Sequence, residues 1–81
     1  MEFVPTTMGQ IRDNILLEKI IKKLKALRLA KGVTQEEIYN ETDIHIGRIE
    51  SQKVNITVST LSKLCDYFEV SLETFFKEIK R

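Results

Sequence analysis

The stretch KGVTQEEIYNETDIHIGRIE, residues 31–50, contains one helix end and two helix starts with almost no chain between them. Lys31-Gly32 closes a helix: the base suits the negative end of the helix dipole, and glycine accepts the left-handed conformation of a C-terminal cap. Thr34-Gln35-Glu36-Glu37 then reads as a capping box, in which the Thr34 hydroxyl accepts from the Glu37 amide and the Glu37 carboxylate reaches back. A second helix therefore begins near Gln35, with Ile38 as its core contact. Thr42-Asp43 marks a tight turn, Asp being one of the few non-glycine residues that tolerate positive φ. A short third helix follows, carrying Ile46 and Ile49 inward and leaving His45, Gly47 and Arg48 on its outer side.

Working upstream, Leu17, Ile20, Leu24 and Leu27 recur at spacings of three and four from about Asn14, widened by Leu16 and Ile21, which is the pattern of one amphipathic helix. Arg28 falls inside the same arc. Either an acid from elsewhere in the fold meets it, since desolvating an unpaired guanidinium is costly, or it snorkels outward at the rim. Ile15 and Leu29 lie off the arc, either as ordinary exposed apolar residues or as contacts for the N-terminal arm or a second chain. Residues 1–13 show no clear period and carry Pro5, so they read as an arm, with residues 14–81 as the single domain.

Downstream, residues 51–56 form a polar loop, and Thr57 is placed to cap a fourth helix whose inward residues are Leu61, Leu64, Cys65 and Phe68. Ser71 caps a fifth helix with Leu72, Phe75 and Phe76 on its apolar side and Lys77, Lys80 and Arg81 near its C-terminus. The expected fold class is all-α, with five helices.

Composition sets the remaining bounds. With 81 residues, 42% of them apolar and 31% charged, the chain can build one core, and three Gly with one Pro leave little material for long turns. No run approaches the length of a membrane span and the N-terminus lacks the order of a secretory signal, so a cytoplasmic location and no membrane partner are expected. One cysteine and one histidine cannot supply the four ligands of a structural zinc site. His45 has no evident nucleophile or orienting acid, and no glycine-rich phosphate loop is present; no catalytic residue, metal or cofactor is expected, and the chain does not read as an enzyme. The net charge of +1 is uninformative about nucleic acid, but its distribution is uneven: Lys19 to Lys31 holds six bases and no acid, whereas Gly32 to Glu50 holds Arg48 against five acids.

Two short helices joined by a tight turn and braced by a longer preceding helix match the helix-turn-helix arrangement, whose second helix is usually offered to the DNA major groove. The residues carry a resemblance as well. Leu24-Lys25-Ala26-Leu27-Arg28, Lys31 to Ile38, Gly47-Arg48-Ile49-Glu50, Thr57 to Leu61 and Val70 to Phe76 resemble, over about residues 20–76, the Xre type of phage-repressor and Cro-like transcriptional regulators. That resemblance implies a phage-repressor-like DNA-binding domain, here with an extended first helix, acting as a homodimer on double-stranded DNA. It implies a buried ion pair between Arg28 and Glu50. It also implies that Gln35, at a helix N-terminus, hydrogen-bonds a phosphate or base edge, and that the loop of Ser51, Gln52, Lys53 and Asn55 tracks the DNA backbone, with Lys53 the foremost phosphate contact.

The pattern breaks between Gln35 and Glu50, which lie about three residues closer than is common in the family, nearly one helical turn. Aligning Thr42-Asp43-Ile44 with the usual Leu-Gly-Val puts the deletion at the start of the recognition helix; aligning Thr42 with that helix's cap moves it into the second helix and the turn. The first is preferred, because Ile44 then fills the apolar position after the turn. Base readout then falls to His45, Gly47 and Arg48, with Arg48 pairing a guanine edge or holding a phosphate, unless His45 merely caps the helix and Arg48 is only solvated. The carboxylates of residues 32–50, Asp43 above all, oppose phosphate binding. They leave open a second reading, a protein-interaction module or antitoxin on the same scaffold with weak or no DNA binding.

Overall fold

In the computed structural model, residues 13–51 and 54–79 are described, and they form five helices without a strand among them: α1 (Asn14–Lys31), α2 (Gln35–Thr42), α3 (Ile46–Glu50), α4 (Val58–Tyr67) and α5 (Leu72–Glu78). Residues 1–12 of the arm, Lys80 and Arg81 lie outside the described residues, while Asp13, the arm's last residue, is described. The architecture is the all-α one that the periodicity predicts.

Four of the five helices start on a side-chain cap. Asp13, Thr34, Thr57 and Ser71 each accept a hydrogen bond from a backbone amide of the first helical turn, and at Thr34 the box is complete, with the Glu37 carboxylate accepting the Thr34 amide at 2.7 Å. α1 ends on Gly32 with φ 77°, where only glycine avoids a Cβ penalty. α2 ends on Asp43 with φ 64°, the left-handed turn that lets α3 begin almost immediately. Thr42 stabilises this break: it is buried, its hydroxyl donates to the Ile38 carbonyl at 2.7 Å and accepts the Ile44 amide at 3.1 Å.

The core is drawn from every helix. Leu17, Ile20, Ile21 and Leu24 of α1 meet Ile38, Ile46, Ile49, Leu61, Leu64, Cys65 and Phe75. Several of these have no exposed surface, so truncating one costs about 2–5 kcal/mol. Burial pushes the Cys65 thiol above its usual range, with Asp66 adding to the shift. Phe76 departs from the expectation. It is 43% exposed, because Phe75 beside it takes the core position and a neighbouring helical residue points about 100° away; its ring packs edge-on against Phe75 at 5.5 Å. Leu27 and Phe68, read as core, are only half-buried at the margin.

α3 has five residues, too few to be stable alone. Packing holds it, through Ile46 with no exposed surface and Ile49 at 4%. α2 has eight residues, and Ile44, the residue after the turn, packs against the core.

Candidate nucleic-acid interface

One carboxylate ties α1, α2 and α3 together. Glu50 closes α3, and its side chain is 6% exposed. Arg28 of α1 donates to it twice, from Nε to Oε2 at 2.8 Å and from Nη2 to Oε1 at 3.1 Å, in the fork geometry that suits a guanidinium to a carboxylate. Arg28 also reaches the Val33 carbonyl at 3.4 Å. Hydrogen bonding to Glu50 holds the guanidinium protonated above even its ordinary range, against the lowering effect of burial. Of the two fates open to Arg28, pairing is the one seen.

The third donor to this carboxylate is Gln35. Its Nε2 donates to Glu50 Oε1 at 2.8 Å, so the side chain expected to reach for a phosphate or base lies across the start of α3 in the free chain. Gly47 makes that approach possible: a Cβ there would stand 2.8 Å from Gln35 Oε1. Gly47, on the outer side of α3, thus has a packing reason, close passage of the Gln35 amide.

Beyond this anchor lies a shallow groove of about 470 Å³, lined by Gln35, Tyr39, His45, Gly47, Arg48 and Ser51. A second recess of about 240 Å³, with Ile44, Val54, Asn55 and Thr60 in its walls, shares His45 and Arg48 with the first. Arg48 and His45 thus stand on the ridge between two recesses, and both are exposed. Ser51 follows α3, its hydroxyl donating to the Arg48 carbonyl at 2.9 Å. Asn55 accepts the Ile56 amide at 3.1 Å. Gln52 and Lys53 lie outside the described residues, and with them the expected phosphate contact. The structure therefore brings Gln35, His45, Gly47, Arg48 and Ser51 to one groove and Asn55 to the adjoining recess.

His45 precedes α3 without capping it through its side chain. Its ring stacks on Tyr39, centroids 4.2 Å apart and planes 24° from parallel. Tyr39 escaped the sequence reading, because the contact spans a helix end and a left-handed turn; the available signal was a large aromatic one residue past Ile38, off the core face. Electrostatically the groove is mixed. Glu36 lies on its wall and Asp43 on that of the second recess, so Arg48 works among carboxylates. Among the described residues no group of three or more His, Cys, Asp or Glu could hold a metal ion, and no helix is long and apolar enough to cross a membrane.

Comparison with known proteins adds one result: a helix-turn-helix family matches residues 24–75, well over half of the chain. No curated protein and no solved structure matches it significantly.

Proposed function

The chain belongs to the Xre-type, phage-repressor-like helix-turn-helix family of DNA-binding regulators, and from that membership we propose that it binds double-stranded DNA sequence-specifically, as a cytoplasmic homodimer, to control transcription. The observation that carries the reading is the exposed ridge of α3, where Arg48 and His45 project between two recesses while Ile46, Ile49 and Glu50 fix the helix from behind. Arg48 is the base-reading or phosphate-holding cation, and Ser51, Lys53 and Asn55 follow the sugar-phosphate backbone. Gln35 acts mainly by orienting α3 through Glu50, while the first-turn amides of α2 present the positive end of a helix to phosphate. Two copies would set their α3 helices about one DNA turn, roughly 34 Å, apart.

A protein-interaction module or antitoxin is the second reading, favoured by the five-residue α3 and by Glu36 and Asp43 close to Arg48. A shift assay on mixed duplex DNA separates the two. Binding at about 50 mM salt that weakens steeply by about 200 mM supports the DNA reading, because phosphate contacts release counterions. No binding at the lower salt overturns it in favour of a protein partner. Sedimentation of the free chain tests the dimer: a species of one-chain mass at assay concentration removes that part of the proposal.

A further inference from the structure

α3 offers few side chains to a reading surface. Arg48 is exposed, but Gly47 beside it has no side chain, and the Gln35 amide is turned toward Glu50. Besides Glu36 and Ser51, the groove is faced by two aromatic rings. Tyr39 comes from the last turn of α2 and His45 from the chain before α3, and the Tyr39 carbonyl accepts the Asp43 amide at 2.8 Å, closing the turn that folds His45 back onto the Tyr39 ring. The core has no need of Tyr39, since Ile38 next to it has no exposed surface, whereas Tyr39 remains 39% exposed. Both rings line the groove that contains Arg48.

We propose that Tyr39 is a specificity-determining DNA contact: with His45 it forms an apolar plate that meets the 5-methyl group of a thymine in the major groove, beside the base or phosphate taken by Arg48. This rests on the DNA-binding reading above. The methyl is the apolar feature of the base edges exposed in the major groove, and apolar side chains are its usual partners. The stack holds both rings before DNA arrives, so little side-chain freedom remains to be lost on contact. In effect, a residue of α2 extends the reading surface that a shortened α3 cannot provide.

The test uses the full chain and a duplex selected by it from a random DNA pool. Each thymine is replaced singly by deoxyuridine, which deletes one methyl and nothing else, and Kd is measured. The expected result is a loss of about fourfold at one position, the value of one buried methyl. That loss should vanish in Tyr39→Ala and shrink in His45→Ala, with circular dichroism checking that both variants fold, while Lys63→Ala on the exposed side of α4 retains it. A selected duplex that tolerates uracil everywhere overturns this proposal alone, on the unmodified chain. So does a uracil penalty that is the same in Tyr39→Ala. If the pool yields no bound duplex, the DNA-binding reading falls and this inference falls with it.

Discussion

The helices that build the scaffold and the helix that faces outward are held by different means. α1, α2, α4 and α5 each carry a side-chain cap at the N-terminus, so each start is written locally in one residue. α3 has no such cap and only five residues; it is placed by Ile46 and Ile49 in the core and by Glu50, gripped by Arg28 and Gln35. A scaffold helix therefore tolerates the loss of one distant contact, whereas the position of α3 depends on a few contacts that all come from other elements. Its outward Arg48 side chain takes part in no ion pair among the described residues, so this part of the surface can vary without endangering the fold.

The sharpest way to break that contrast is at Glu50. Replacing it with Ala strands the Arg28 guanidinium in a site where its side chain is 12% exposed and releases Gln35 as well. Removing one partner of a buried pair costs about 3–5 kcal/mol, and the partial access to water at Arg28 places the expectation near the lower end. At roughly 4–8 °C per kcal/mol for a domain of this size, the melting temperature should fall by more than about 10 °C. An unchanged melt in Glu50→Ala would show that α3 is held by its isoleucines alone.

Arg48→Ala sharpens the same contrast from the other side. Arg48 is exposed and its guanidinium takes part in none of the ion pairs found among the described residues, so thermal stability should move by no more than about 0.5 kcal/mol. Affinity for a selected duplex should drop by about 1–3 kcal/mol, roughly 5- to 150-fold. A loss confined to one base position marks Arg48 as a base reader; a uniform loss across sequences with a shallower salt slope marks it as a phosphate contact. Undiminished binding removes it from the interface.

Thr34→Ala tests a locally written start. It deletes a hydroxyl that accepts the Glu37 amide at 3.0 Å, and the expected cost is about 1 kcal/mol, a fall of some 4–8 °C in melting temperature. The effect should add to that of Ser71→Ala, since separate caps are independent, whereas changes at Glu50 and Gln35 should couple strongly. Additivity in both pairs would mean that α3 is no more collectively held than the scaffold.

The same division explains what could be read before the fold was known. Thr34, Thr57 and Ser71 were legible because each is a local device, a side chain accepting from the amide three residues on, and Asp43 because it is one of the few non-glycine residues that tolerate positive φ. The stripe of Leu17, Ile20 and Leu24 was legible because burial repeats with the helical period. The arc also exposed Arg28's need for a partner, though which acid answers it came from family resemblance. The Gln35 amide turned to Glu50, and the Tyr39 stack on His45, were not legible. Both depend on how closely α2 and α3 approach, a distance set by the shortened helix and by a glycine whose purpose no pattern discloses. Phe76 fell to a related ambiguity: two adjacent aromatics cannot both face the core, and only packing selects Phe75.

Gly47→Ala carries a small expected change in stability and isolates the approach of α2 to α3. The new Cβ would lie 2.8 Å from Gln35 Oε1, but that atom ends a flexible side chain, so Gln35 swings away and the helices stay in place. Losing the Gln35 hydrogen bond to a carboxylate is worth about 1.5–3 kcal/mol at most, less at an exposed site, and replacing glycine by alanine within a helix returns about 0.5–1 kcal/mol. The two nearly cancel, leaving a net loss below about 1 kcal/mol in a denaturant melt. The cancellation can be taken apart with a double-mutant cycle. In a Gln35→Ala background the Cβ meets nothing that must move and no hydrogen bond is left to lose, so Gly47→Ala should become stabilising by the helix-propensity term alone. If Gly47→Ala is equally costly in both backgrounds, Gln35 is not the reason for the glycine, and α2 and α3 approach as they do through their backbones and isoleucines.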